Sequence, residues 1–129
     1  MGNFFNDILK PLSCRDDTKA YIIGIFSDFQ KSIKNDLSKD SITLTFAKAR
    51  FKNSFELYQK LGDWIFFSQV LFPEHLSGNA SADYYISIGQ ISYYSCYRLL
   101  NKQWLLYEEM SDQFSSLEKK TKLLLRNLH

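Results

Sequence analysis

Few residues in this chain can turn or stop a helix. Five Gly and two Pro are spread singly through 129 residues, roughly half of what average usage supplies. An all-β domain of this length needs a turn about every 8–12 residues, built from Gly, Pro, Asn and Asp. The β-branched residues point the same way: one Val and four Thr stand against seventeen Leu, and only the ten Ile lean toward strand. Leu is well accepted in helices, whereas strands select for branching at Cβ. The chain therefore reads as all-α, one helical domain over residues 1–129, a length that matches a single domain.

Periodicity predicts four to five main helices in a bundle. Residues 1–15 are a poorly defined lead-in, in which Phe4, Phe5, Ile8, Leu9 and Leu12 suit a short turn of helix limited by Pro11. Asp16 and Asp17 open the next helix, whose apolar face is Tyr21, Ile22, Ile25, Phe26, Phe29 and Ile33, ending near Asn35. A helix from Ser41 or Thr43 carries Leu44, Ala47, Phe51, Phe55, Tyr58 and Ile65 on one stripe. Gly62 lies on that stripe too, so the helix either continues or kinks there, the favoured reading, or breaks with Asp63 capping its successor. Pro73 bounds it, and Leu76 to Ala80 is a loop. From Ser81 or Asp83 a helix that is apolar or aromatic nearly all round belongs near the centre of the bundle. Its Gly89, Ser92 and Cys96 form a small-residue stripe for a neighbouring helix. The last helix, Lys102 to Leu128, places Glu108, Glu109 and Asp112 ahead of Lys119, Lys120, Lys122 and Arg126, which complements the helix dipole.

Charge and motifs exclude several functions. A net charge of +2 is too balanced for a nucleic-acid surface. Lys48, Arg50, Lys52 and Lys60 alternate with Phe46, Phe51 and Phe55, and helical spacing puts the bases outward and most of the aromatics inward. The uncharged run Tyr84–Tyr97 has 14 residues, short of the ~20 needed to span a bilayer. No secretory signal opens the chain, Asn6 spoils a myristoylation pattern, and Asn79-Ala80-Ser81 is a glycosylation acceptor only in a secreted protein. Cys14 and Cys96 form no disulfide framework, so the reducing cytoplasm is the expected location. There is no glycine-rich phosphate loop, no Glu-x-x-His pair and no close Cys/His pair for a metal. His75 stands alone and reads as a solvated side chain, and Cys96 as an inert buried thiol. No catalytic residue, metal ligand or cofactor is assigned, and an enzyme ranks third among the readings.

The aromatic load remains: eleven Phe, eight Tyr and two Trp, 16% of the chain, concentrated in residues 46–107. Buried Tyr hydroxyls need partners, interfaces favour aromatics, and apolar pockets hold ligands. The blocks Leu61-Gly62-Asp63-Trp64-Ile65-Phe66-Phe67, Phe72-Pro73-Glu74, Asp83-Tyr84-Tyr85, Gly89 and Ser92-Tyr93 give residues 44–100 a pattern that resembles uncharacterised bacterial all-helical proteins. That group generally carries Gly at the position of Val70. The resemblance implies a bacterial cytoplasmic all-α domain and no known activity. Polar groups kept inside the aromatic stretch make Asp63, Trp64, Glu74, Tyr85 and Tyr94 the candidates for ligand or interface contacts. The expected function is a non-enzymatic protein–protein interaction module, with a homodimer or a heterologous protein as partner, no nucleic acid and no transmembrane segment. The alternative is a bundle holding a small apolar ligand or cofactor in a Tyr/Phe-lined pocket.

Overall fold

A computed structural model describes residues 2–29, 39–72 and 82–126. Among these residues there is no strand, and seven helices follow one another: α1 Gly2–Leu9, α2 Asp16–Phe29, α3 Lys39–Lys52, α4 Phe55–Leu71, α5 Ala82–Leu99, α6 Leu105–Asp112 and α7 Phe114–Arg126. The protein is all-α, but the count of four to five main helices is too low. The lead-in is itself a helix, α1. The helix expected from Ser41 or Thr43 divides at Asn53-Ser54, and the last one starts at Leu105 and divides again at Gln113. The expected helix end near Asn35, the loop at 76–80, Glu74 and His75 lie outside the described residues.

The division at Asn53-Ser54 has a local cause. Asn53 takes the left-handed conformation (φ 51°), which Asn tolerates better than most residues, and the Ser54 N–H donates to the Ala49 carbonyl at 3.1 Å. Together these close the C-terminus of α3. Ser54 Oγ then accepts from the Leu57 N–H at 3.2 Å and caps α4. Gly62, the expected kink or break, is an interior residue of α4.

This division changes which side chains face inward. Leu44, Ala47 and Phe51, expected on the buried stripe with Phe55 and Tyr58, are exposed, and Phe51 keeps 91% of its surface. α3 instead buries Ile42 and Ala49. A stripe drawn across residues 44–65 presumes one continuous screw, and the turn at Asn53 rotates α3 out of phase with α4.

The central pair is α4 and α5, which pack together most extensively, with α2, α3 and α7 also against α4. From Leu61 to Val70 every residue of α4 is buried except Asp63. The close approach of these helices depends on two glycines. A Cβ on Gly62 would lie 2.7 Å from the Tyr93 ring, and one on Gly89 would lie 2.6 Å from the Phe114 ring. The two rings themselves pack 5.9 Å apart between centroids. Gly24 on α2 is different, since a Cβ there meets nothing within 4 Å.

These glycines should therefore respond in opposite directions to one substitution. Gly62→Ala drives a methyl into a fully buried ring and is expected to destabilise by about 2 kcal/mol, despite the ~1 kcal/mol that Ala gains over Gly in a helix. Gly24→Ala collects that gain without a clash. Urea unfolding of the two variants checks this, and equal shifts of one sign would show that the ring contact does not restrict position 62.

Candidate functional site

Asp63 is the single ionisable residue in the stretch of α4 that the core encloses, and two hydroxyls reach it from different helices. Tyr21 of α2 donates to its Oδ1 at 2.6 Å, and Tyr93 of α5 donates to the same oxygen at 2.8 Å. Tyr107 of α6 completes a triangle of rings, with centroids 5.4 Å from Tyr21 and 6.3 Å from Tyr93, while Tyr21 and Tyr93 stand edge to face at 6.2 Å. One turn before Asp63, Gln59 donates from Nε2 to the Tyr107 hydroxyl at 2.8 Å. Phe55, one turn earlier still, sets its ring perpendicular to Tyr107 at 5.7 Å. Three positions at helical spacing on α4 thus line up with three tyrosines from α2, α5 and α6.

The environment shifts every titratable group in this cluster. Burial pushes the Asp63 carboxyl up to about 7; the Tyr21 and Tyr93 hydroxyls pull it back down, and the Asp28 carboxylate raises it further. Burial, aided by the Asp63 charge, holds Tyr21 and Tyr93 well above the usual phenol range. Burial likewise pushes Tyr107 up to about 12. The hydroxyls therefore keep their protons and act as donors at neutral pH. Cys96, whose Sγ lies 3.9 Å from the Phe55 carbonyl oxygen, is raised by burial and then by Asp63, so its thiol stays protonated. Among the described residues no Lys or Arg pairs with Asp63; the ion pairs there join Arg15 to Asp17 and Lys122 to Glu118.

The residues singled out in the sequence do not gather in one place. Asp63 sits at the centre of the tyrosine cluster. Trp64, its neighbour in sequence, is buried with the Lys60 ammonium 4.8 Å from its ring centroid. Tyr85 is buried near the start of α5, edge-on to Tyr84, whose hydroxyl lies 2.6 Å from Thr43 Oγ1. Tyr94 is exposed beside Tyr97 and lines an open depression with Ile91 and Ser111. Glu74 lies outside the described residues. Tyr21, Gln59, Tyr93 and Tyr107 were not among the candidates drawn from the sequence. The available signal was a pair of polar residues, Gln59 and Asp63, one turn apart on an apolar helix.

A second feature occupies one end of the bundle, where the α3–α4 and α5–α6 turns meet. The Arg98 guanidinium lies 3.5 Å from the Asn53 side-chain oxygen and joins the two turns. Besides Asn53, Asn101 (φ 60°) and Lys102 (φ 59°) are left-handed, the only non-glycine residues so placed among the described residues. The Lys102 N–H closes its turn on the Tyr97 carbonyl at 2.8 Å. Phe51 ends one side of this pole; on the other, Trp104 keeps 55% and Leu105 41% of their surface. Arg50, Lys52, Arg98 and Lys102 are exposed around them.

Among the described residues no three metal-capable side chains come together, and no helix is long and apolar enough to cross a membrane. No protein-family profile, curated protein or solved structure matches the chain.

The half-buried carboxyl of Asp63 makes stability depend on pH. An acid raised by folding from about 3.8 to about 7 binds its proton more tightly in the folded state. Its contribution is full below pH ~4 and is lost as the pH rises through 7. The groups that face Asp63 are Tyr21 and Asp28 from α2, Tyr93 and Cys96 from α5, and Tyr107 from α6. Asp63→Asn keeps an oxygen for both hydroxyls and removes the charge. Its unfolding free energy should exceed wild type by roughly 1–3 kcal/mol at pH 8, with the gap closing toward pH 5. Urea titrations at both pH values measure this, and a gap that does not change with pH contradicts it.

Proposed function

We propose that this protein is a non-enzymatic protein–protein interaction module, and that its contact face is the pole built by the α3–α4 and α5–α6 turns. The observation that carries this reading is the pair of exposed aromatics there, Phe51 and Trp104, set on turns tied together by Arg98 and Asn53. Aromatic and Arg side chains supply most of the energy of protein interfaces, and a preorganised platform loses little entropy on binding. Residues in the left-handed region cost about 1–2 kcal/mol each where Gly is absent. Strain of that kind tends to collect where a surface is shaped for contact.

Charge selects the kind of partner. Arg50, Lys52, Arg98 and Lys102 outnumber the acids in the first turns of α4 and α6, Glu56 and Glu108. A symmetric dimer through this pole would bring like charges together, which costs affinity. The reading therefore favours a heterologous partner that offers acidic groups around an apolar centre. The tyrosine hydroxyls are spent on Asp63 and Gln59, which argues against the alternative of an apolar ligand in a Tyr/Phe-lined pocket.

The pole can be removed without touching the core. The double variant Phe51→Ser/Trp104→Ser replaces two exposed side chains and is expected to fold as wild type. Proteins retained by the immobilised wild-type chain should be lost with this variant and released at 0.5 M salt. A retained set unchanged by both treatments would remove the pole as the contact face.

A further inference from the structure

We propose that the cleft between α2 and α4 is a binding site for an alkylammonium group, with Asp63 at its floor. This goes beyond the interaction reading, because it concerns a different face of the molecule. The cleft has a volume of about 380 Å³, within the range of small-molecule sites. Asp63, Gln59, Asp28 and Tyr21 supply its polar lining, and Ile25 and Gly24 belong to its apolar wall.

Most of the uncommitted polar atoms of that lining are acceptors. Both tyrosine hydroxyls near Asp63 donate to Oδ1, so Oδ2 is the oxygen they leave free. Gln59 spends one N–H of its Nε2 on Tyr107, which leaves its amide oxygen as an acceptor beside one N–H. Asp28 is exposed at the rim, and among the described residues no Lys, Arg or His lines the cleft. A carboxylate withdrawn from water without a counter-ion is costly, and a ligand that donates hydrogen bonds and carries positive charge relieves that cost. The Tyr21 ring adds an aromatic wall that also attracts a cation. An alkylammonium meets these terms with three donors and an apolar stem. A hard metal ion does not, since it takes six or more oxygens, and no third carboxylate, His or Cys joins Asp28 and Asp63 among the described residues.

Two variants separate the site from the fold. Asp63→Asn removes the charge and keeps the shape. Gly24→Leu fills the cleft from a position where an added Cβ meets nothing within 4 Å, and it replaces Gly in a helix interior by a better helix former. The full-length chain is titrated with n-butylammonium, n-butanol and Nα-acetyl-lysine methylamide at pH 7.5, following amide chemical shifts. The expected result is saturable binding of n-butylammonium, none of n-butanol, and at least a tenfold loss of affinity in both variants. If the lysine derivative binds as well, the group is presented by a lysine side chain of another protein; if it is excluded, the ligand is a free amine. The proposal is overturned if n-butanol binds equally, if either variant keeps wild-type affinity, or if neither amine gives a saturable shift.

Discussion

Tyr93 lies across Gly62 and places its hydroxyl on Asp63, and most of the architecture follows from that contact. The ring can approach α4 only because position 62 has no Cβ, and that approach brings the hydroxyl to 2.8 Å from the next residue's carboxylate. Gly62 and Asp63 thus act as one receptor for a single tyrosine. Apolar packing holds helices together without choosing how far one slides along another; directional hydrogen bonds make that choice. Here Tyr93 fixes α5 against α4, Tyr21 fixes α2 at the same oxygen, and Tyr107 fixes α6 through Gln59. On its other side Tyr93 packs against Phe114, whose ring lies over Gly89, so α7 is keyed to the same arrangement.

The helical class was legible because it rests on composition, which tertiary packing does not alter. The boundaries that failed are those where a polar residue adopted an uncommon backbone conformation. Asn53 carries no more sequence signal than any other Asn, yet its left-handed φ ends α3 and turns Phe51 outward. Gly62 looked like punctuation because Gly so often ends helices, whereas its role is to make room for a ring from residue 93, which local pattern does not register. Asp63 stood out as polar within an aromatic run. Its partners come from positions 21 and 93, separations over which one sequence carries no pairing information.

The polar interior and the exposed pole also differ in sign. Around Asp63 the described polar side chains are acids, hydroxyls and an amide, so that region is rich in acceptors. Around Asn53 and Lys102 the surface is mostly basic. With a net charge of only +2, the chain has little long-range field, and its charge is instead separated locally over a small surface. Charges more than a Debye length apart, about 8–10 Å in physiological salt, scarcely sense one another, which lets one small domain offer both.

One short stretch touches both regions. Trp104 stands exposed at the pole and caps α6, and the Tyr107 N–H donates to its carbonyl at 3.1 Å. Tyr107 in turn carries the hydroxyl that meets Gln59 and the ring that meets Tyr21, both in the lining of the cleft. Between these two residues lies a single helical turn, and Tyr107 is enclosed by Phe55, Tyr21 and Tyr93. An interior packed to this density does not absorb a displacement by local compression. Trp104 and the side chains that shape the cleft are thus joined through one residue, Tyr107, by its backbone on one side and by its ring and hydroxyl on the other.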